Sequence, residues 1–320
     1  MSKPHIPHVE RTAAESRQSS LHRATICYIR NVNSRVRLLR LVLPYAVKFL
    51  PGQWLDVHIP SLPEHTGGFT ITSTPADASD RPRQDPLPPS RRNQKLVASP
   101  RPYFELAIQH SPMNPSAAWL WKDEAEIMNE NVFVRVGGNF TWSAEKRSLK
   151  RAVFVAGGVG IKYKILTVDR TRYMLIMPSP LISMMSHLAQ PEQKQSLPQT
   201  VKLLYATRLA GETLDQVLFF PQLKQIFQEL NSGNNKSNTV DLHLTDGPSP
   251  ADQKIVAPWM DIYYNRISKQ HLLSSIGPTA NPQHGVAVYI CGPPAMTDEF
   301  VEVLKAEENM EENVFYEKWW

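Results

Sequence analysis

The stretch Val153-Phe154-Val155-Ala156-Gly157-Gly158-Val159-Gly160-Ile161 limits what this chain can fold into more than any other. Its first residues are apolar and β-favouring, which predicts a buried strand. The strand breaks at once into glycines, where backbone without a Cβ can lie close to a neighbour. Gly-Gly-x-Gly after a strand is how a phosphate is cradled on main-chain N–H groups, and it is also how an ordinary tight turn is made. The rest of the chain decides between them.

With 320 residues, 42% hydrophobic and 20% charged, there is material for about two globular cores. Mean hydropathy is −0.34, and no apolar run approaches the ~20 residues of a membrane span, so a soluble protein is expected. The net charge of +5 is spread among acids rather than gathered with aromatics, which does not indicate nucleic-acid binding. Cys27 and Cys291, far apart in the chain, make a disulfide framework improbable and suit a reducing compartment. Residues 1–20 mix Lys3, Arg11 and Arg17 with Glu10 and Glu15 and lack the apolar core of a secretory signal, so a disordered tail is expected.

From residue 21 to 145 the pattern is short strands with little helix between them: 21–30, 36–43, 54–59, 67–75, 103–108 and 132–138, broken at Asn31–Ser34 and Pro51-Gly52. This predicts a small antiparallel β-barrel or sandwich. Residues 77–101, crowded with Pro and Arg, read as a solvated loop. Asn114-Pro115 before Ser116–Trp121 reads as a cap and one short helix, whose amino end offers an anion site or is simply capped. From 150 to 320 strands (152–156, 201–206, 240–244, 286–290, 314–316) alternate with helices (180–189, 213–230, 294–307), which predicts a doubly wound α/β parallel sheet. Ligands of such sheets sit beyond the carboxyl ends of the strands. Two of those ends carry unusual chemistry: Gly157–Gly160, and Cys291-Gly292-Pro293-Pro294-Ala295-Met296.

Those two motifs, in that order and behind a small barrel, resemble the ferredoxin-NADP reductase superfamily. Supporting residues are Pro51–Trp54, Gly67–Thr70, Val136–Gly138, Leu203–Arg208 and the terminal Tyr316–Trp320. The resemblance implies a flavin-binding barrel over 21–145 and a nicotinamide-nucleotide-binding domain over 150–320. It implies hydride transfer between NAD(P)H and FAD, with electrons passing to an unidentified acceptor. Gly157, Gly158, Val159, Gly160, Ile161 and Pro180 would then serve the cofactor pyrophosphate, and Gly292, Pro293, Pro294 and Met296 the nicotinamide end. Cys291 would lie by the nicotinamide C4, and Glu317 would be a proton donor. Phe69, Thr70, Thr72 and Ser73 would contact flavin, with Trp320 near its ring. NAD rather than NADP rests on the resemblance, while Arg208 stands where a 2′-phosphate would find a cation. A mitochondrial location is implied likewise; otherwise the cytoplasm is expected. Each residue also has a plainer reading: Cys291 as a buried core cysteine, Glu317 as a solvated glutamate, Trp319-Trp320 as packing.

Two departures stand out. Flavin-binding members carry Arg-x-Tyr-Ser/Thr on a barrel strand, where this chain has Gly67-Gly68-Phe69-Thr70, so the phosphate-pairing arginine and the phenol are absent. His65, Arg81, Arg83, Arg91 and Arg92 are possible substitutes, and spacing selects none of them. The family also runs from Gly-x-Gly-Ile directly into a helix, where residues 162–178 here intervene before Ser179-Pro180. The insert reads as a hairpin around Asp169-Arg170, as a disordered excursion, or as retained non-coding sequence in a mistaken gene model. The third reading is favoured, because a phosphate loop is a poor place for an insertion. The alternative to an enzyme is a degenerate nucleotide-binding sensor or interaction protein.

Overall fold

The chain's structure, a computed structural model, describes residues 7–80, 101–142, 149–158, 161–163, 172–174, 179–208, 214, 217–233, 237–245, 257–277 and 285–318, with backbone path alone at 158, 161–163 and 172–174. It divides into two compact units, Met1–Trp142 and Ser143–Trp320.

The first unit contains strands β1 (His22–Asn31), β2 (Val36–Val42), β3 (Trp54–His58), β4 (Thr66–Thr70), β5 (Tyr103–Gln109) and β6 (Asn131–Gly137), with short helices α1 (His8–Arg11), α2 (Pro115–Leu120) and α3 (Glu124–Ile127). All pairings are antiparallel, in the order β4-β3-β6-β1-β2-β5. A bridge from Ile71 to Leu106, with the Thr72 N–H donating to the Glu105 carbonyl at 2.8 Å, joins the two outer strands. The sheet therefore closes into a barrel, which removes both edges. Alternate residues such as Ile26, Leu39, Leu55, Leu106 and Val134 fill its interior.

Two expectations are corrected here. Of the supposed tail over 1–20, residues 7–18 are packed against the barrel, because they satisfy a buried charge. Asp56 on β3 is wholly buried, and it accepts from His8 Nε2 at 3.1 Å, Arg17 Nε at 2.9 Å and Arg135 Nη2 at 2.8 Å. The solvated loop over 77–101 begins with a buried turn: Ala78 is wholly buried and its carbonyl accepts the Val47 N–H at 3.0 Å, while Asp77 caps Thr74. Residues 81–100, with Arg81, Arg83, Arg91 and Arg92, lie outside the described residues.

The second unit runs β7 (Arg151–Gly158), β8 (Ile161–Tyr163), β9 (Arg172–Met174), α4 (Ser179–Leu188), β10 (Thr200–Arg208), α5 (Phe220–Leu230), β11 (Thr239–Thr245), β12 (Met260–Tyr263), α6 (Lys269–Ile276), β13 (Val286–Gly292), α7 (Pro294–Lys305) and β14 (Val314–Lys318). Six strands pair in parallel in the order β12-β11-β10-β7-β13-β14. Helices cover a parallel sheet, and every residue of β13 is accordingly buried. The helix expected over 213–230 is shorter: it starts at Phe220, after Phe219 takes a left-handed conformation (φ 64°). Pro221 then suits the first turn.

Candidate functional site

From β7 the chain steps outward through β10, β11 and β12, then returns to the other side of β7 with β13. The switch point between β7 and β13 is where an open α/β sheet leaves a crevice beyond its carboxyl ends. Both sequence motifs end there. Ala156 pairs with Cys291, so Gly157 and Gly292 come next on adjacent strands. A Cβ built on Gly292 would stand 3.4 Å from the Gly157 Cα and 2.2 Å from Met296 Cε; one on Gly157 would stand 2.7 Å from Met296 Sδ and 2.9 Å from Pro293 Cδ. The glycines let the first turn of α7 fold its methionine across both strand ends. Met296 is thereby placed as packing between the two motifs.

Three further groups converge on the same edge. In the element order β7 is followed, after β8 and β9, by α4, and β13 is followed directly by α7, so both helices begin at the carboxyl edge with their amino ends, where first-turn N–H groups favour negative charge. α7 has Pro293 at its cap and no side-chain cap bond. Thr297 in its first turns is wholly buried, and its Oγ1 has no hydrogen-bond partner among the described residues. Ser179, the first residue of α4, is 3% exposed, and its Oγ is likewise without a partner among them. A buried hydroxyl left unmatched costs roughly 1–3 kcal/mol, and Ser179 and Thr297 carry one each in the opening turns of α4 and α7.

Of the other expected site residues, Cys291 is wholly buried and pairs in register with Glu317 on β14, which is half-buried; the two are adjacent. Pro180 is buried in the first turn of α4, and Pro294 opens α7. Arg208 is the last residue of β10, one past Thr207, which pairs with Gly158. Val159, Gly160 and Trp320 lie outside the described residues, and Ile161 is described by backbone alone. That backbone starts the β8–β9 hairpin, in which Ile161 pairs with Met174. Within the insert the described backbone is the antiparallel pairing of Ile161–Tyr163 with Arg172–Met174, while residues 164–171 and 175–178 lie outside the described residues. Ser179 and Thr297 were not singled out as site residues. The signal for Thr297 was its place directly after Met296; Ser179 stood in the sequence only as the residue before Pro180.

The flavin residues behave differently. Gly67 lies on β4 where the resemblance places an arginine, and a Cβ there would stand 2.5 Å from Phe69 Cε2 and 2.7 Å from Ser116 Cβ. Phe69 is 8% exposed and belongs to the barrel core. The Thr72 hydroxyl donates to the Glu105 carbonyl at 3.1 Å, and Ser73 Oγ accepts the Glu105 N–H at 3.0 Å. Thr70 is buried, paired with Trp54. The short α2 is capped by Asn114, whose side chain accepts the Ala117 N–H at 3.1 Å, so the capped reading of that amino end holds. These residues do not fit the phosphate contact that the resemblance implies for flavin.

No family model matches the chain. Proteins named Oxidoreductase NAD-binding domain-containing protein 1 are similar to all of it: the one from Bos taurus is 29% identical over 327 residues, covering 100% of this chain and 87% of its own, and the one from Xenopus laevis is 28% identical, covering 100% and 86%. Among solved structures, Amycolatopsis cytochrome P450 reductase GcoB matches with TM-score 0.61 at 16% identity over 95% of this chain and 71% of its own. A ferredoxin NADP+ reductase from Neisseria gonorrhoeae with bound FAD and NADP matches with TM-score 0.57 at 12% identity over 94% and 99%. The fold is that of the two-domain ferredoxin reductases.

Proposed function

We propose that this chain binds a nicotinamide dinucleotide across the carboxyl ends of β7 and β13 and acts with it as an oxidoreductase of ferredoxin-reductase type. The observation that carries the reading is the convergence of Gly157 and Gly292 with two unmatched buried hydroxyls, Ser179 and Thr297, at a topological switch point. The names of the full-length relatives agree with it.

Bound in reduced form, the nucleotide would supply a hydride, two electrons and a proton, to a two-electron acceptor. The chain's own residues would bind and orient it. Ser179 and the amino end of α4 would hold the pyrophosphate with Gly158 and Gly160, Thr297 and the uncapped turn of α7 would hold the nicotinamide side, and Arg208 would serve the adenosine ribose. Cys291, closed from solvent, would keep the ring face dry, and Glu317, paired in register beside it, would be the proton donor. Nothing in the barrel enters the proposal, since its strand residues do not fit a flavin phosphate. That misfit favours a second reading, a nucleotide-binding protein without turnover. NADH consumption with quinone acceptors separates the two. Turnover supports the enzyme, saturable binding without turnover supports the second reading, and no binding overturns both. The mitochondrial location implied by the resemblance is a separate proposal, read by imaging a tagged chain.

A further inference from the structure

We propose that this chain retains no flavin on its barrel, because strand β4 is sealed on both faces by the chain itself. The inference concerns the first unit alone and does not need the nucleotide reading.

On the inner face, the seal at Gly67 has two parts. The Phe69 ring folds back over the glycine and is packed in the core. Ser116 meets it from α2, and its Cβ is fixed to helix backbone that is held by the Asn114 cap and by the Ser116 hydroxyl donating to the His65 carbonyl at 3.1 Å. An arginine here would have to expel a core ring and lift a helix together. On the outer face, the imidazole of His8 lies on Gly68, so that a Cβ would come within 2.0 Å of its Cε1. His8 is 7% exposed, bonded to Asp56 and packed edge-on against Trp54 with ring centroids 4.8 Å apart. Arg17 crosses the same Trp54 ring at 4.9 Å. Residues 7–18 thus form a strap across β4 and β3, which explains why two successive glycines stand on β4: one admits the ring of Phe69, the other the ring of His8.

What remains on the strand is poor in phosphate chemistry. The cation and the phenol are absent, and the Thr72 and Ser73 hydroxyls are used to close the barrel on Glu105. Losing one charge-assisted contact to a phosphate weakens binding roughly ten- to hundredfold. Here the place where that contact would be made is also filled. The hydride acceptor of the proposed reaction is then a molecule that diffuses in, not a flavin resident on β4.

The test uses the full chain, shown to unfold cooperatively, incubated with excess FAD or FMN and then gel-filtered. The expected result is a colourless protein with no flavin absorbance; one equivalent of retained flavin overturns the proposal. A double variant, Gly67→Arg with Phe69→Tyr, rewrites the family's strand motif. It is expected to gain no flavin and to melt earlier than the parent, and stoichiometric flavin in it would show that the seal does not exist. If that variant fails to fold, the parent measurement decides alone. NADH binding measured on the same preparation reports separately on the nucleotide site, so failure of one reading is not mistaken for failure of the other.

Discussion

Two residues of the proposed site, Ser179 and Thr297, carry the sharpest consequences of this structure because their hydroxyls have no hydrogen-bond partner among the described residues. Ser179→Ala should therefore leave the melting temperature unchanged or raise it slightly, while weakening NADH roughly ten- to hundredfold, the worth of one hydrogen bond to an ionised group. Calorimetric titration against thermal melts reads both; a variant that loses stability and keeps its affinity would assign the hydroxyl to the fold. Asp56 is the opposite case. Burial pushes its carboxyl up, but hydrogen bonds from His8, Arg135 and Arg17 outweigh that and hold it well below the ordinary carboxylate range. A carboxyl lowered on folding contributes stability above its unfolded value and loses it as pH falls through the folded one, so the barrel should begin to lose stability below about pH 4. Asp56→Ala should cost about 3 kcal/mol and remove that acid limb, since it leaves the Arg17 and Arg135 guanidiniums and the His8 imidazole around an empty buried site. Urea melts between neutral and acid pH check it, and an unchanged acid limb in the variant would contradict it.

At the scale of elements, the β8–β9 hairpin brings the chain back beside Ile161 before α4 begins. Deleting residues 162–178 should therefore preserve both the melting temperature and NADH affinity, and a collapse of either would make the hairpin part of the site. Sequencing the transcript reads independently whether those codons are retained. The barrel strands and most of the α/β elements were legible from the sequence because their apolar residues alternate or run continuously, as in β1 and β13. β12 and α6 were not. β12 is a four-residue edge strand with one buried residue, and α6 buries little apolar surface beyond Leu272 and Ile276, too few positions to set a period. The N-terminal strap was missed for another reason: it is held by ion pairs to Asp56 rather than by an apolar face. The approach of Gly157 to Gly292 was legible in their two motifs, and the meaning of Gly67-Gly68 was legible only as an absence until Phe69, Ser116 and His8 filled it.

For the whole molecule, similarity along the full chain to the named relatives and the two-domain reductase fold set the expectation of a hydride path, yet each unit must be judged on its own residues. In the proposed reading the second unit would supply the nucleotide site at β7 and β13, while in the first the strand β4 is covered by Phe69, Ser116 and His8. The measurement that tests the central claim most directly is amide hydrogen exchange of the full chain with and without saturating NADH. The claim predicts slower exchange at Gly157-Gly158, over Gly292–Thr297 and in the first turn of α4. Unchanged exchange at all three, under conditions where NADH is bound, would contradict it.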